Sequence, residues 1–439
     1  MRNLLCLLFV SLVSATSYGA SPSEYLKKEG NELLSLYYHL HRNPELSLKE
    51  VKTANQLARR MRKLGLKVTE QVGGTGVVGV LENGKGPKLL IRADMDALPV
   101  TEETGLSYAS QVQTLRGGQK VGVMHACGHD IHMSVLLGTL QYLSENPSLW
   151  QGTVIAVLQP AEELGLGAKA MIKSGLFDKF GVPDFGLALH VSAEHPAGSV
   201  GYVAGFAMAN ADTVTIKVKG QGGHGAFPHN TRDPIVLASK IVLGLQTIVT
   251  REIAPTDPSV ISVGYFHGGT KSNVIPNEVE LRATVRSFSD ETRQKIMAAI
   301  RRTAEGLAAS SGFPKSLYPE VILKEGFTPA LYNDPALVER VKKGIATQLK
   351  DDQILKSEPV MGAEDFGRYG KTKPQFPITM FWLGSVSPKD YQKFKAGKLE
   401  LPSLHSSRFA PQAQETLFTG VKAMAGAAVE LLPPKRESR

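Results

Sequence analysis

Eight consecutive residues, His125-Ala126-Cys127-Gly128-His129-Asp130-Ile131-His132, bring three imidazoles, a thiol and a carboxylate together. The chain has 2 cysteines, and the other, Cys6, lies in an apolar N-terminal run. A lone thiol among histidines has no partner for an internal disulfide, which leaves metal ligation or nucleophilic catalysis with a histidine base. A thiolate and an imidazole two residues apart reach one ion when a glycine relaxes the turn between them. Such a pair suits zinc and tolerates manganese, cobalt or nickel.

A second cluster is Pro160-Ala161-Glu162-Glu163, directly after an apolar segment. Adjacent carboxylates point in different directions, so one could hold a metal while the other serves as general base. An acidic helix start is the ordinary alternative. His190, in Ala188-Leu189-His190-Val191, and His405, in Leu404-His405-Ser406, are each as readily structural as ligating. Asp94 and Asp96 could cap a strand end, and Asp96 could orient a ligating histidine. Taken together, Cys127, His129, Glu163, His190 and His405 exceed what one tetrahedral zinc takes. Two ions sharing a ligand, with Glu162 left as base, are the economical arrangement; such a pair polarises a carbonyl and acidifies a water.

The elements that must position these groups are legible from periodicity. Residues 23–38, 47–64, 130–145 and 165–175 have apolar positions at helical spacing. Residues 74–81, 88–93, 153–159 and 185–190 read as strands. Alternation of the two predicts an α/β domain with a mostly parallel sheet and helices on both faces. Asp94/Asp96, Glu162/Glu163 and His190 then fall at strand ends, where open α/β sheets form their sites. From 212 the rhythm changes to strand 212–219, helix 234–250, strands 259–266 and 278–287, helix 290–310 and strand 316–324. That β-α-β-β-α-β order is ferredoxin-like. The predicted organisation is a catalytic unit of residues 21–208 and 325–439, interrupted by an inserted unit of residues 209–324.

The first 20 residues have a basic start at Arg2, an apolar run from Leu4 to Val13 and then small residues, the pattern of a secretory signal. A periplasmic or secreted protein is therefore expected, and no later segment reads as membrane-spanning. The formal charge of +9 is dispersed, with no basic cluster interleaved with aromatics, which argues against nucleic-acid binding.

The mature chain resembles the co-catalytic metallopeptidase and amidohydrolase family that includes aminoacylase and carboxypeptidase G. Within it the chain looks most like the hippurate hydrolases, N-acyl-amino-acid amidohydrolases and plant auxin-conjugate hydrolases. The residues carrying the likeness are His41-Arg42-Asn43-Pro44-Glu45-Leu46, Arg92-Ala93-Asp94-Met95-Asp96-Ala97-Leu98-Pro99 and the His125–His132 run. Further along come Gln159-Pro160-Ala161-Glu162-Glu163, Leu189-His190-Val191 and Gly223-His224-Gly225-Ala226-Phe227-Pro228-His229. Ser272-Asn273-Val274-Ile275-Pro276, Met361-Gly362-Ala363-Glu364-Asp365-Phe366 and Leu404-His405 complete it.

The resemblance implies two divalent ions on Cys127, His129, Glu163, His190 and His405, with Cys127 bridging. It implies Glu162 as general base and Asp96 as the orienting carboxylate. It makes the inserted unit a lid and dimerisation domain, whose His224 reaches a partner's site to stabilise an oxyanion. Asn273 and Arg286 would bind substrate carboxylate or carbonyl. The expected substrates are small N-acyl amino acids or short peptides, and the expected assembly is a homodimer. Other branches bridge their ions with an aspartate near the position of Asp130, which opens the question of whether Asp130 also touches metal.

Overall fold

The computed structural model describes residues 20–324 and 326–434. The expected signal segment, apart from Ala20, lies outside the described residues. An eight-stranded sheet forms the larger unit, in the spatial order Lys67–Thr69, Val77–Asn83, Gly152–Gln159, Lys88–Asp94, Phe185–Pro196, Ile378–Val386, Val200–Tyr202 and Ile354–Lys356. Its four central strands, from Gly152–Gln159 to Ile378–Val386, are mutually parallel. They are nearly continuous apolar runs because both faces are covered. Leu89, Ile91, Leu158 and Leu189 pack one way, against the helices Pro22–Arg42, His129–Glu145 and Ala413–Leu431. Leu90, Ile155, Val157 and Ala188 pack the other way with Met171 and Phe366.

Helix ends follow local chemistry. Ser21 and Glu24 form a reciprocal capping box at the start of Pro22–Arg42. His129–Glu145 is buried on nearly every side, so it carries no charged face after Asp130 until Glu145. It begins at Gly128, whose φ is +76° and whose added Cβ would sit 2.3 Å from Val191 Cγ2. Only glycine meets both conditions there.

Residues 212–323 build a separate antiparallel sheet, ordered Ser259–His267, Glu278–Ser287, Asp212–Lys219, Glu320–Leu323. Val214, Ile216 and Val218 point to the helices Pro234–Thr247 and Asp290–Ser310 and close a second core. The chain passes between the two units beside a short ribbon, Gly205–Met208 paired with Leu331–Asn333.

Two elements differ from expectation in ways that bear on the site or the surface. The strand at Phe185 does not stop at His190 but continues to Pro196, because Ile378–Val386 keeps pairing with it, Trp382 opposite His190. The helix from Pro234 ends at Thr247 and loosens into a π-helical turn, Ile248–Glu252. That combined stretch, Pro234–Glu252, is also the one described segment long and apolar enough to cross a membrane by length and composition, with mean hydropathy 1.3. This corrects the expectation that no such segment exists. One face, including Leu237, Ile241 and Leu245, packs in the second core, while Val236 and Leu243 are exposed on the other.

Candidate metal centre and active site

The site lies where two parallel strands part. Pairing of Lys88–Asp94 with Phe185–Pro196 ends at Arg92 and Ala188, so the strands diverge just before Asp94 and His190. His132 fills the gap. Its Nδ1 donates to Asp94 at 2.6 Å and its Nε2 accepts the Val191 N–H at 2.9 Å. Both nitrogens are spent, so His132 is a bridge between strands rather than a metal ligand. Burial lowers it to about 4, keeping it neutral.

The expected donors converge. His129 Nδ1 donates to the Asp96 carbonyl oxygen at 2.8 Å, and His190 Nδ1 donates to the Val191 carbonyl at 2.8 Å. Each ring therefore presents a bare Nε2 lone pair to the interior. His129 Nε2 and Glu163 Oε1 are buried, lack any hydrogen-bond partner and lie 3.9 Å apart. Cys127 Sγ is 3.5 Å from His190 Nε2 and 3.2 Å from His405 Nε2, and His405 Nε2 is 3.3 Å from Glu163 Oε1. Two groups of ligand atoms result, Cys127/His129/His190 and Cys127/Glu163/His405, each with its atoms within 4.8 Å of one another. They share the Cys127 sulfur.

Lone pairs facing lone pairs in a buried place call for a cation between them. The local charge agrees. Burial works against a charged His129, yet Asp94, Asp96 and Glu163 push it up to about 10. Burial, Glu163, Glu162 and Asp94 together push the Cys127 thiol well above its ordinary value. A free thiolate nucleophile is disfavoured in that setting, whereas a divalent ion stabilises the thiolate directly. The donor set of thiolate, imidazole and carboxylate fits zinc-like ions.

Asp96 sets the two glutamates. Its Oδ1 accepts the Glu162 N–H at 3.0 Å; its Oδ2 accepts the Glu163 N–H at 3.1 Å and the Ser47 hydroxyl at 2.6 Å. Ala161, just before them, adopts φ +49°, a left-handed conformation costly for a residue with a Cβ, and its N–H is held by Glu50 Oε1 at 2.8 Å. The strain is fixed by a buried carboxylate that also accepts the Thr75 hydroxyl at 2.6 Å. Burial first, then Glu364, Glu163 and Asp365, push the Glu162 carboxyl well above its usual range.

Two buried charge networks lie behind the donors, and sequence reading missed both. Arg92, fully buried, bonds to Asp94 at 2.6 Å, Glu364 at 2.7 Å, Asp365 at 3.1 Å and Gln159 at 3.0 Å. An arginine inside the apolar run Leu89-Leu90-Ile91-Arg92-Ala93 was the available signal, since a charge there must be paired. His41 lies between Asp130 at 2.7 Å and Glu102 at 3.1 Å. Asp130 is thus committed to His41 and to the Ile131 N–H, and belongs to none of the potential metal-holding groups. His125 is buried with neither ring nitrogen bonded, and burial lowers it to about 4.

A cavity of about 620 Å³ opens onto Cys127, Glu162, Glu163, His190 and His405. Arg286 lines it from the second unit. His224 and Asn273 do not: they share a two-stranded ribbon, where Gly225 N–H bonds to Asn273 O at 2.9 Å and the His224 ring stands 5.3 Å from Phe227. His405 has φ +67° and a side chain 54% exposed, unlike the buried histidines opposite it.

A mostly parallel α/β sheet with this donor set at its strand ends defines a metal-dependent hydrolase of amide bonds. The chain belongs to peptidase family M20/M25/M40, whose description matches residues 90–406. It is 38% identical over 374 residues to thermostable carboxypeptidase 1 of Saccharolobus solfataricus, covering 83% of this chain and 90% of that one. It is 34% identical over 364 residues to N-acetylcysteine deacetylase of Bacillus subtilis, covering 82% and 90%. Among solved structures, a Bacillus subtilis protein described as a dinuclear metal-binding peptidase from this family superposes with a TM-score of 0.75 at 30% identity. That match covers 92% of this chain and 99% of the other.

Proposed function

We propose that the chain removes the acyl group from N-acyl amino acids, hippurate-like compounds among them, using two divalent ions. The observation that carries the proposal is the pair of donor groups sharing Cys127 Sγ, with Glu162 beside them in the same cavity. Cys127, His129 and His190 would hold one ion, and Cys127, Glu163 and His405 the other. Bound there, zinc, manganese, cobalt or nickel would polarise the amide carbonyl and acidify the attacking water. Glu162 takes the water's proton and passes it to the leaving amine. Its raised affinity for a proton, from burial and neighbouring acids, suits it to that return step. Asp96 orients the backbone that carries both glutamates.

His224 and Asn273 we read as serving the cavity of a second copy in a homodimer, with the 212–323 unit as lid; molecular mass in solution checks the dimer. Export to the periplasm or medium is read from the N-terminal pattern and is checked by sequencing the mature N-terminus. A second reading, carboxypeptidase or dipeptidase activity on the same scaffold, is favoured by the carboxypeptidase name of one relative. The discriminating experiment is hydrolysis of a panel of N-acyl amino acids and dipeptides after chelation and restoration with each metal. Deacylation that is lost with chelator and returns with metal is expected. Activity indifferent to chelator would favour the cysteine as nucleophile, and peptide cleavage without deacylation would favour the second reading.

A further inference from the structure

The second unit presents two cations to the cavity, where binding one substrate α-carboxylate requires only one. Arg286 and Lys324 both line it. Thr213 pairs with Thr284, and Val214 with Leu323, which puts Lys324 opposite Thr213 and Arg286 two residues beyond Thr284. All four side chains share the sheet face away from the helices. The Lys324 N–H donates to the Thr213 carbonyl at 3.0 Å, which extends this register past the strand end. Arg286 and Lys324 thus stand on strands flanking a common neighbour, roughly 12 Å apart at the backbone by ordinary strand spacing and a two-residue offset. Their long side chains can close that gap onto two carboxylates of one molecule.

Asp212 offsets part of the Arg286 charge, but neither cation is paired directly with an acid among the described residues. Arg286 Nε is bonded to Thr284 Oγ1 at 3.1 Å, and neither Arg286 nor Lys324 forms a salt bridge among the described residues. Among the described residues, the acids lining the cavity are Glu162 and Glu163, which belong to the metal centre and base. Gly326 and Phe327 are held in place. Arg368 Nη2 bonds to the carbonyls of Gly326, at 3.1 Å, and Phe327. Arg293, itself doubly bonded to Asp212 at 2.7 Å, stacks 3.6 Å over the Phe327 ring. Two like charges on one wall repel each other, and an anion between them relieves that repulsion. Leu164, Leu166 and Leu404 also line the cavity and offer apolar surface to the acyl group.

Resting on the N-acyl-amino-acid hydrolase reading, we infer that the preferred substrates are N-acyl derivatives of dicarboxylic amino acids, with Arg286 taking one carboxylate and Lys324 the other. The test compares kcat/KM for N-acetyl-L-glutamate, its uncharged isostere N-acetyl-L-glutamine, and N-acetyl-L-methionine, using the metal-loaded protein at low salt. Glutamate should exceed glutamine about tenfold, and the preference should shrink as salt is raised. Lys324→Gln should bring the ratio close to one by lowering the glutamate value, while Lys324→Arg keeps most of it. A wild-type ratio near one, an unchanged ratio in Lys324→Gln, or equal loss on both substrates overturns the inference. Cleavage of N-acetyl-L-methionine without a glutamate preference refutes the inference alone. Failure to cleave any N-acyl amino acid refutes the hydrolase reading and the inference with it.

Discussion

Replacing Asp96 by asparagine isolates what one carboxylate does for the metal centre. Two backbone N–H groups and a hydroxyl converge on it, Glu162 N–H on Oδ1 at 3.0 Å, Glu163 N–H and Ser47 on Oδ2 at 3.1 and 2.6 Å. Asparagine keeps one oxygen and turns the other into a donor. Whichever way the amide faces, one of the two glutamate N–H groups meets another N–H. Ser47 can rotate its hydroxyl to accept instead, but a backbone amide cannot. Losing one bond to a charged acceptor and leaving a buried N–H unsatisfied overlap in effect, and together cost about 2–4 kcal/mol. Part of that is absorbed by the fold, and the rest moves Glu162 and Glu163 relative to the sulfur they face. The expected outcome is a 10- to 100-fold loss in kcat/KM or metal affinity, the range seen when a group orienting a ligand is removed. The assay pairs metal titration with hydrolysis of an N-acyl amino acid, and urea unfolding measures the stability share. If folded Asp96→Asn protein stays within twofold of wild type in metal affinity and kcat/KM, the positioning argument is wrong.

Other outcomes follow from the same geometry. Glu162→Gln should retain bound metal, read by elemental analysis, yet lose about 10²- to 10⁴-fold in turnover; substantial residual hydrolysis would remove Glu162 as the base. Arg92→Met leaves Asp94, Glu364 and Asp365 buried without their cation and should destabilise the fold by about 3–5 kcal/mol in chemical denaturation. A loss under 1 kcal/mol would show that the acids find other partners. His41 gives a pH dependence. Burial opposes its charge, but Asp130 and Glu102 overcome this and raise it to about 9 from 6.5. A raised histidine contributes fully below pH 6.5, and that contribution, at most about 3 kcal/mol, is lost as pH climbs through 9. Unfolding free energy should therefore fall more steeply between pH 6.5 and 9 in wild type than in His41→Gln; parallel slopes would contradict the assignment.

Much of the fold was readable because periodicity is strong where burial is one-sided or complete. Asp212–Lys219 alternates cleanly, and its observed limits are the predicted ones. The Gly152–Gln159 and Lys88–Asp94 strands announce themselves as unbroken apolar runs. The hairpin Gln113–Arg116 and Gln119–Gly122 was not readable, since it is mostly exposed and lacks alternation. The five donors could be named from residue type and spacing, but the work of their neighbours could not. His132 could be given no role, because the sequence does not show that two strands diverge and leave a gap of one imidazole's width. Asp96 could be assigned an orienting role, yet the groups it holds are chiefly the Glu162 and Glu163 amides, 66 and 67 residues away. Lys324 gave no signal at all, since it is a lysine at the end of a strand until the register places it over the cavity.

The two donor groups also differ in when the chain can complete them. Cys127, His129 and His190 lie within one stretch of sequence, on a helix start and a strand already framed by Lys88–Asp94. His405 lies 278 residues beyond Cys127, after the whole inserted unit and after Ile378–Val386 has entered the sheet. As the polypeptide emerges from the ribosome, the first group can gather early, while the second must wait for a distant loop to close. While the emerging chain ends between residues 190 and 405, it carries the three donors of the first group without the full ligand set for the second.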